Sequence, residues 1–539
     1  MLFGDTPCLE KPYKNVNLIH ILQSQAKKHP TQPAIIDTYH RQRRLTTFAE
    51  LEQQSAQFAA LLHQAGLRPG DTVLVFQSMS AELYIALGAI FRLGLVAMFL
   101  DPGQGRDHIE ACCALHPPQA LIASSKAHLL RLISPGLRRI SKKFVIGWPV
   151  PGAMLWSRSM PLPPHPDVFA AGDDTPALLT FTSGSTGQPK AALRTHGFLL
   201  AQHRVLADSL RLTAGQVDLS TMPIVTLANL ASGVTSLIPQ ADLRYPGCID
   251  PAPVMAQIQR ERVDSTVASP ALLARLVDYG LSKGIRLPGL KKIFTGGAPV
   301  FPHLLDRLRQ LAPNAEVVAV YGSTEAEPMA KISAADITPE DRYAMQTGRG
   351  LLAGRPVEAI CLRVLPDRWG EPIDPYSSVE FAAAGCAIDQ VGEIVVSGDH
   401  VLTGYLSGQG DEETKFKVDD IIWHRTGDAG YLDRHGRLWL LGRCAARIDD
   451  ERGQLYPFTV ECAVSGQPDI QRGAVIAHQG QRVLLVEFNR PVSAARVVDL
   501  KQSLAWAGID DIRIAKRLPV DKRHNAKIDY PALQQLVGD

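Results

Sequence analysis

Short apolar runs alternate with helical stretches through most of this chain, and that alternation restricts its architecture more than any single residue does. Residues 48–65 place apolar side chains at three- and four-residue spacing and stop at Gly66, the pattern of an amphipathic helix. Thr72–Phe76 reads as a strand, Leu83–Phe91 as a helix and Leu95–Leu100 as a buried strand. Ala120–Ala123 and Phe144–Ile146 add two more short strands. A helix between successive strands is the signature of a crossover, so the expected class is α/β with parallel sheet. Residues 147–174 are rich in Pro and Gly and should connect rather than form a core.

A second α/β region spans 176–364, followed by a loop-rich stretch at 365–389. Gly392–Ser397 and Leu438–Leu441 read as strands, with a turn at Asp433–Gly436. Strand and helix then alternate again through Ala474–Ala477, Val483–Phe488, Ala494–Ala505 and Ile512–Ile514. No repeat of 20–50 residues is present. The expected domains are 1–442 and 443–539, divided near Gly442-Arg443.

Composition removes several function classes. Against 56 Lys+Arg stand 54 Asp+Glu, so no global field exists for gripping nucleic acid. Apolar residues at 45% and charged residues at 20% describe a globular chain, not a disordered one. The eight cysteines form no C-x-x-C pair, which excludes a zinc ribbon and a thioredoxin-type site. A chain this long needs no disulfide staples, so reduced thiols and a cytoplasmic location are expected. The N-terminal stretch lacks the apolar core of a secretory signal. The most apolar stretch, Leu83–Leu100, is broken by Arg92 and ended by Asp101-Pro102, so it predicts a buried helix and strand, not a transmembrane segment.

The strongest local signal is an apolar strand, Leu178–Phe181, running into Thr182, Ser183, Gly184, Ser185, Thr186, Gly187, Gln188, Pro189 and Lys190. Glycines let backbone N–H groups converge, hydroxyls add donors, and lysine adds a mobile charge. Such a loop can cradle a polyphosphate; the same composition also suits a flexible Ser/Gly turn. The spacing is neither Walker A nor the G-x-G-x-x-G fingerprint. Three segments follow in order. Phe294-Thr295-Gly296-Gly297-Ala298-Pro299 leaves a strand; Val317–Tyr321 runs into Gly322-Ser323-Thr324-Glu325; and His424-Arg425-Thr426-Gly427-Asp428 leads on to Gly442-Arg443.

This ordered set resembles the adenylate-forming superfamily of acyl-CoA synthetases, luciferases and peptide-synthetase adenylation domains. The resemblance covers nearly the whole chain. It implies a large N-terminal AMP-binding domain of layered sheets and helices and a small mobile α+β lid. It also implies an ATP- and Mg²⁺-dependent ligase, in which a carboxylate attacks the α-phosphorus and pyrophosphate leaves. Both reactants are anions, so such a site must neutralise charge before it can orient them. By the same resemblance Thr182, Ser183, Gly184, Thr186 and Lys190 hold the β- and γ-phosphates, with Ser185 and Gly187 in the same nucleotide-binding loop. Glu325 binds Mg²⁺ and Thr324 reaches the α-phosphate. Gly296, Gly297, Ala298 and Tyr321 wall the adenine, Gly322 and Ser323 belong to the same nucleotide site, Asp428 accepts from both ribose hydroxyls, and Arg443 supports the ribose. Lys527 is the implied lid lysine at the acyl-phosphate centre, with Lys522 competing. His524 is either a helper for a hydroxyl proton or a structural hydrogen-bonding group.

The hinge departs from the commoner relatives. Ala445 replaces the usual aspartate, and Asp449 stands where lysine is common. The acidic run Asp449-Asp450-Glu451 would not attract the phosphates of CoA. The order G-R-x-x-x-R-I, G-x-L-Y and P-V-D-x-R-H-N-x-K-I is similar to the olefin-biosynthesis β-lactone synthetases. That branch implies a long-chain β-hydroxy acid, closure to a lactone with loss of AMP, and partner enzymes of hydrocarbon biosynthesis. Transfer to CoA or a carrier protein is the alternative, and a non-catalytic nucleotide- or lipid-binding descendant a further one. Met222–Leu230 builds either an alkyl tunnel or plain core, and Thr195 and His196 either line the acyl site or start a helix.

Overall fold

The structure, a computed structural model, describes residues 17–183, 189–520 and 528–538. Packing divides them into two compact units, one of 17–34 with 46–203 and one of 35–45 with 204–538.

The first unit is built on a seven-stranded sheet. Its order is Met154–Leu155, Lys142–Ile146, Ala120–Ser124, Thr72–Phe76, Val96–Phe99, Pro176–Ser183 and Pro189–Thr195. All neighbours are parallel except the last pair. Thr72–Phe76 is buried at every position, as a β-branched run covered on both faces should be. The expected helix is Phe48–Gln64, started by a capping box in which the Thr47 hydroxyl accepts from Glu50 N and the Glu50 carboxylate accepts from Thr47 N. Ala81–Arg92 is buried along its whole length. Arg92, which breaks the apolar run in sequence, is buried here against Glu52 and the His165 carbonyl. Among the described residues no helix is long and apolar enough to cross a membrane.

The second unit carries a fourteen-stranded sheet. Thr235–Leu237, Val217–Ser220, Ser265–Ala268, Lys292–Gly296 and Glu316–Ser323 lie parallel in that spatial order. At Ala326–Ser333 the sheet turns antiparallel. It continues through Leu351–Pro356, Leu438–Arg443, Ile421–Leu432, Gly392–Ser397 and Cys361–Leu365. Residues 443–538 add a three-stranded sheet, Ile470–His478, Gln481–Phe488 and Asp511–Ile514, over a local core of Val460, Val475, Leu484, Val486 and Leu500. Just after Arg443 the chain is fastened to Asp367, which accepts from Arg447 at 2.6 Å and from the Tyr456 hydroxyl at 2.7 Å. The cysteines among the described residues are free thiols.

Candidate active site

The change from parallel to antiparallel pairing puts a two-residue turn, Thr324-Glu325, at the tip of a hairpin. Ser323 Oγ accepts from Glu325 N at 3.2 Å and fixes the turn, while Leu402 N donates to the Glu325 carbonyl at 2.7 Å. The neighbouring strand Lys292–Gly296 ends beside Glu316–Ser323, with Gly296 opposite Val320. A Cβ on Gly296 would lie 2.6 Å from the Val320 carbonyl oxygen, and Gly297 has φ +80°. Only glycine fits this pair of positions without strain. The structure therefore gathers Gly296, Gly297, Tyr321, Gly322, Ser323, Thr324 and Glu325 at adjacent strand ends, with Ala298 next in the chain.

Asp428 sits on the long strand Ile421–Leu432, directly across from Arg443. Its Oδ2 accepts from the Tyr321 hydroxyl at 2.6 Å, and its Oδ1 lies 3.3 Å from Arg443 Nη1. Arg443 also donates to the Thr426 carbonyl at 3.1 Å. Burial and the Asp428 charge together raise the Tyr321 phenol well above its ordinary value, so it remains a donor. The charge of Asp428 raises the Arg443 guanidinium pKa. A carboxylate held by one phenol and one guanidinium can exchange these donors for a pair of sugar hydroxyls.

Glu325 is supported by Tyr405 and Lys415, which the sequence did not single out. The Tyr405 hydroxyl donates to Glu325 Oε1 at 2.8 Å. Lys415 Nζ lies 5.6 Å from the Tyr405 ring centroid and 3.1 Å from His424 Nδ1, and it donates to the Leu402 carbonyl. Burial pushes the Glu325 carboxyl up, but the Tyr405 hydroxyl and the Lys415 charge pull it below its ordinary value. Burial, reinforced by the Lys415 charge, pushes the His424 imidazole down to about 3, so it is neutral at pH 7. Burial lowers Lys415 to about 8, which leaves it mostly charged. Among the described residues no group of three His, Cys, Asp or Glu could hold a metal by itself. One ionised carboxylate suits Mg²⁺ that arrives on phosphate oxygens and keeps much of its water.

Arg425, next to His424, is structural. Only 1% exposed, it makes a bidentate pair with Glu393 at 2.9 and 2.7 Å and lies 5.2 Å from the Trp369 ring.

In the first unit Thr182 and Ser183 end the strand Pro176–Ser183, and Lys190 follows in its antiparallel partner, where it is buried. Gly184, Ser185, Thr186 and Gly187 lie outside the described residues, as do Lys522, His524 and Lys527. Thr195 precedes, and His196 begins, the helix His196–Ser209. His196 has no exposed surface, accepts from Leu18 N at 3.2 Å and is lowered to about 4 by burial, which is helix-start packing. In Met222–Leu230, Val225 and Ala228 pack into a core with Leu206, Val267 and Phe294, and Thr226 bonds Ser220 at 2.7 Å. Asn229 donates to the buried Asp218 at 3.0 Å. The acidic run is less negative than it reads. Asp449 pairs with Arg447 at 2.8 Å, and Asp450 with Arg452 at 3.0 Å and Arg482 at 2.7 Å.

A family model described as AMP-binding enzyme matches residues 22–406. The chain is 31% identical, over 89% of both sequences, to an olefin beta-lactone synthetase of Xanthomonas campestris pv. campestris. It matches one from Stenotrophomonas maltophilia at the same identity and coverage. Among solved structures it resembles O-succinylbenzoate coenzyme A synthetase from Bacillus subtilis in complex with AMP, with a TM-score of 0.75 and 22% identity, covering 95% of this chain and 96% of that one. It also resembles an anthranilate CoA ligase in complex with anthranoyl-AMP, with a TM-score of 0.80 and 17% identity over 98% of each chain. With the hairpin-tip glutamate and the tyrosine–aspartate–arginine set already in place, the match over most of its length shows that this chain belongs to the AMP-binding family of ATP- and Mg²⁺-dependent adenylate-forming ligases.

Proposed function

We propose that this enzyme activates a long-chain β-hydroxy fatty acid as its adenylate and closes that adenylate to a β-lactone. In the first step a substrate carboxylate oxygen attacks the α-phosphorus of ATP and pyrophosphate leaves. In the second the β-hydroxyl oxygen attacks the acyl carbon, its proton is lost, and AMP leaves as the four-membered ring closes. The second nucleophile is already tethered to the first product, so proximity offsets part of the ring strain.

The roles follow the family resemblance, and the described residues among them are where such roles would need them. Asp428 receives the ribose hydroxyls, with Tyr321 and Arg443 keeping it oriented. Gly296, Gly297, Ala298 and Tyr321 wall the adenine, with Gly322 and Ser323 in the same nucleotide site. Glu325, kept ionised and aimed by Tyr405, holds Mg²⁺, which neutralises phosphate charge when bound. Thr324 reaches the α-phosphate. Lys190 and residues 182–187 grip the β- and γ-phosphates, and residues 443–539 form a lid carrying Lys527 and His524 to the acyl centre. The observation that carries the acid-activating step is the Asp428 side chain held by the Tyr321 hydroxyl at 2.6 Å, a ready acceptor for a diol. Similarity along 89% of both chains to two proteins named olefin beta-lactone synthetase supports the lactone step.

Transfer to CoA is the second reading. It is favoured by the arginine pairing of Asp449 and Asp450, which weakens the charge objection to CoA, and by relatives such as 4-coumarate--CoA ligase 2 of Nicotiana tabacum, 25% identical over 83% of this chain and 79% of that one. The test is pyrophosphate release with long-chain acids, with and without a β-hydroxyl and with and without CoA, followed by product mass. Acid minus water, formed without CoA, supports the lactone; a thioester appearing only with CoA contradicts it. Lys527→Ala should lower turnover by about a hundredfold or more, the scale of losing one transition-state donor, while Lys522→Ala leaves it near normal.

A further inference from the structure

Between Glu110 and Asp167 the chain has no Asp or Glu but seven Lys or Arg, in a protein whose formal net charge is only +2. This acid-free span folds within the first unit around the ends of two parallel strands. Ala120–Ser124 runs into a short helical segment, Ala127–Ile133, and Lys142–Ile146 runs into a loop at 147–152. The segments are tied together. Ser125 Oγ donates to the Trp148 carbonyl at 2.8 Å, and Arg131 Nη1 donates to the Pro151 carbonyl at 3.2 Å. Glu110, the nearest acid before the span, is turned onto Ser134 and the Gly136 N–H.

Large apolar side chains stand in solvent here. Trp148 is 76% exposed, Leu132 75%, Leu129 61% and Ile133 53%. Lys126 and Arg138 are exposed beside them. Apolar groups scattered singly over a surface need no explanation, but four in one small region, on a stretch whose own charged side chains are all Lys or Arg, do. Protein interfaces are depleted of lysine at their centres and do not select one sign of charge. Leu, Ile and Trp ringed by Lys and Arg match the boundary between headgroups and acyl chains of an anionic bilayer.

We propose that this rim docks on the surface of an anionic phospholipid bilayer. Leu129, Leu132, Ile133 and Trp148 enter the headgroup–acyl boundary, and Lys126 and Arg138 meet the lipid phosphates. The rim is formed at the C-terminal ends of its strands. The parallel strand Pro176–Ser183 ends on that same side of the sheet as it enters the glycine-rich loop, three strand spacings away from Ala120–Ser124, or about 14 Å. Docking is independent of which acid the enzyme activates, and its test reads binding rather than turnover.

The full chain is sedimented with vesicles of phosphatidylcholine alone or with one third phosphatidylglycerol, at low and high salt. The vesicle-bound fraction should rise about tenfold with the anionic lipid and fall with salt. Leu132→Glu with Ile133→Glu should abolish binding while leaving the melting temperature and pyrophosphate release with a short soluble acid unchanged. Trp148→Ala, which adds no buried charge, gives the same comparison should the double variant fold poorly. Equal binding to neutral and anionic vesicles, or binding that survives these substitutions, overturns the proposal. So does a wild-type dimer that the double variant converts to monomer without any vesicle binding, because a second copy would then cover the rim.

Discussion

Replacing Asp428 with Asn separates a ligand-binding role from a structural one, because the two have very different sizes at this position. The substitution keeps the shape and removes the charge. A hydrogen bond to a charged acceptor contributes ~1.5–3 kcal/mol, against ~1 kcal/mol for a neutral one. With two ribose hydroxyls, neutralisation should cost about 2 kcal/mol, or about 30-fold in kcat/KM for ATP. Fold stability should respond less, because the amide oxygen still accepts from the Tyr321 hydroxyl. The Arg443 partner is 59% exposed, and ion pairs of that kind contribute about 0–1 kcal/mol. The melting temperature should therefore move by no more than about 2 °C. Pyrophosphate release against ATP concentration, paired with scanning calorimetry, measures both quantities. A folded Asp428→Asn enzyme with kcat/KM for ATP within about threefold of wild type would refute the ribose assignment.

Three further substitutions probe separate parts of the structure. Tyr405→Phe removes the donor that aims Glu325 and should raise the Mg²⁺ concentration for half-maximal pyrophosphate release about tenfold, with little change once Mg²⁺ saturates; an unchanged Mg²⁺ curve counts against the role of Glu325. Glu393→Gln leaves Arg425 charged and buried, so chemical denaturation should show a loss of about 3–5 kcal/mol; a loss under about 1 kcal/mol would mean that the pair is not buried as described. Asp218 is fully buried and burial raises it to about 6, although Asn229 and Ser265 donate to it. The folded state thus binds the Asp218 proton more tightly than the unfolded state does, and this stabilisation, complete below about pH 4, is lost as pH rises through about 6. Relative to Asp218→Asn, the wild type should lose about 3 kcal/mol across that window in urea titrations, whereas a pH-independent difference contradicts the assignment.

What could be read from the sequence was what local chemistry determines. Thr72–Phe76 and Gly392–Ser397 are strands with the expected bounds, because β-branched runs between turn residues have few other ways to bury themselves. The helix at 48–65 carries its start signal in Thr47 and Glu50, three residues apart. Gly296, Tyr321, Glu325, Asp428 and Arg443 could be picked out because each lies in a short motif, four of them at or beside the end of a strand and Asp428 within one. Their supports could not. Tyr405 lies 80 residues from Glu325, and Lys415 and His424 join them only because the sheet brings distant strands together. Arg482 reaches Asp450 from 32 residues away, so an acidic run in the text becomes a set of ion pairs in space. The strand order, with Val217–Ser220 between Thr235–Leu237 and Ser265–Ala268, follows from long-range pairing that no local period encodes.

The most direct measurement follows oxygen. A β-hydroxy fatty acid labelled with ¹⁸O in both carboxylate positions is converted with ATP and Mg²⁺ in the absence of CoA, and both products are weighed. Attack of the carboxylate on the α-phosphorus, followed by attack of the hydroxyl on the acyl carbon, gives AMP with one ¹⁸O and a lactone that keeps one, in its carbonyl. Unlabelled AMP, or a lactone retaining both labels, would show that the hydroxyl rather than the carboxylate had been activated.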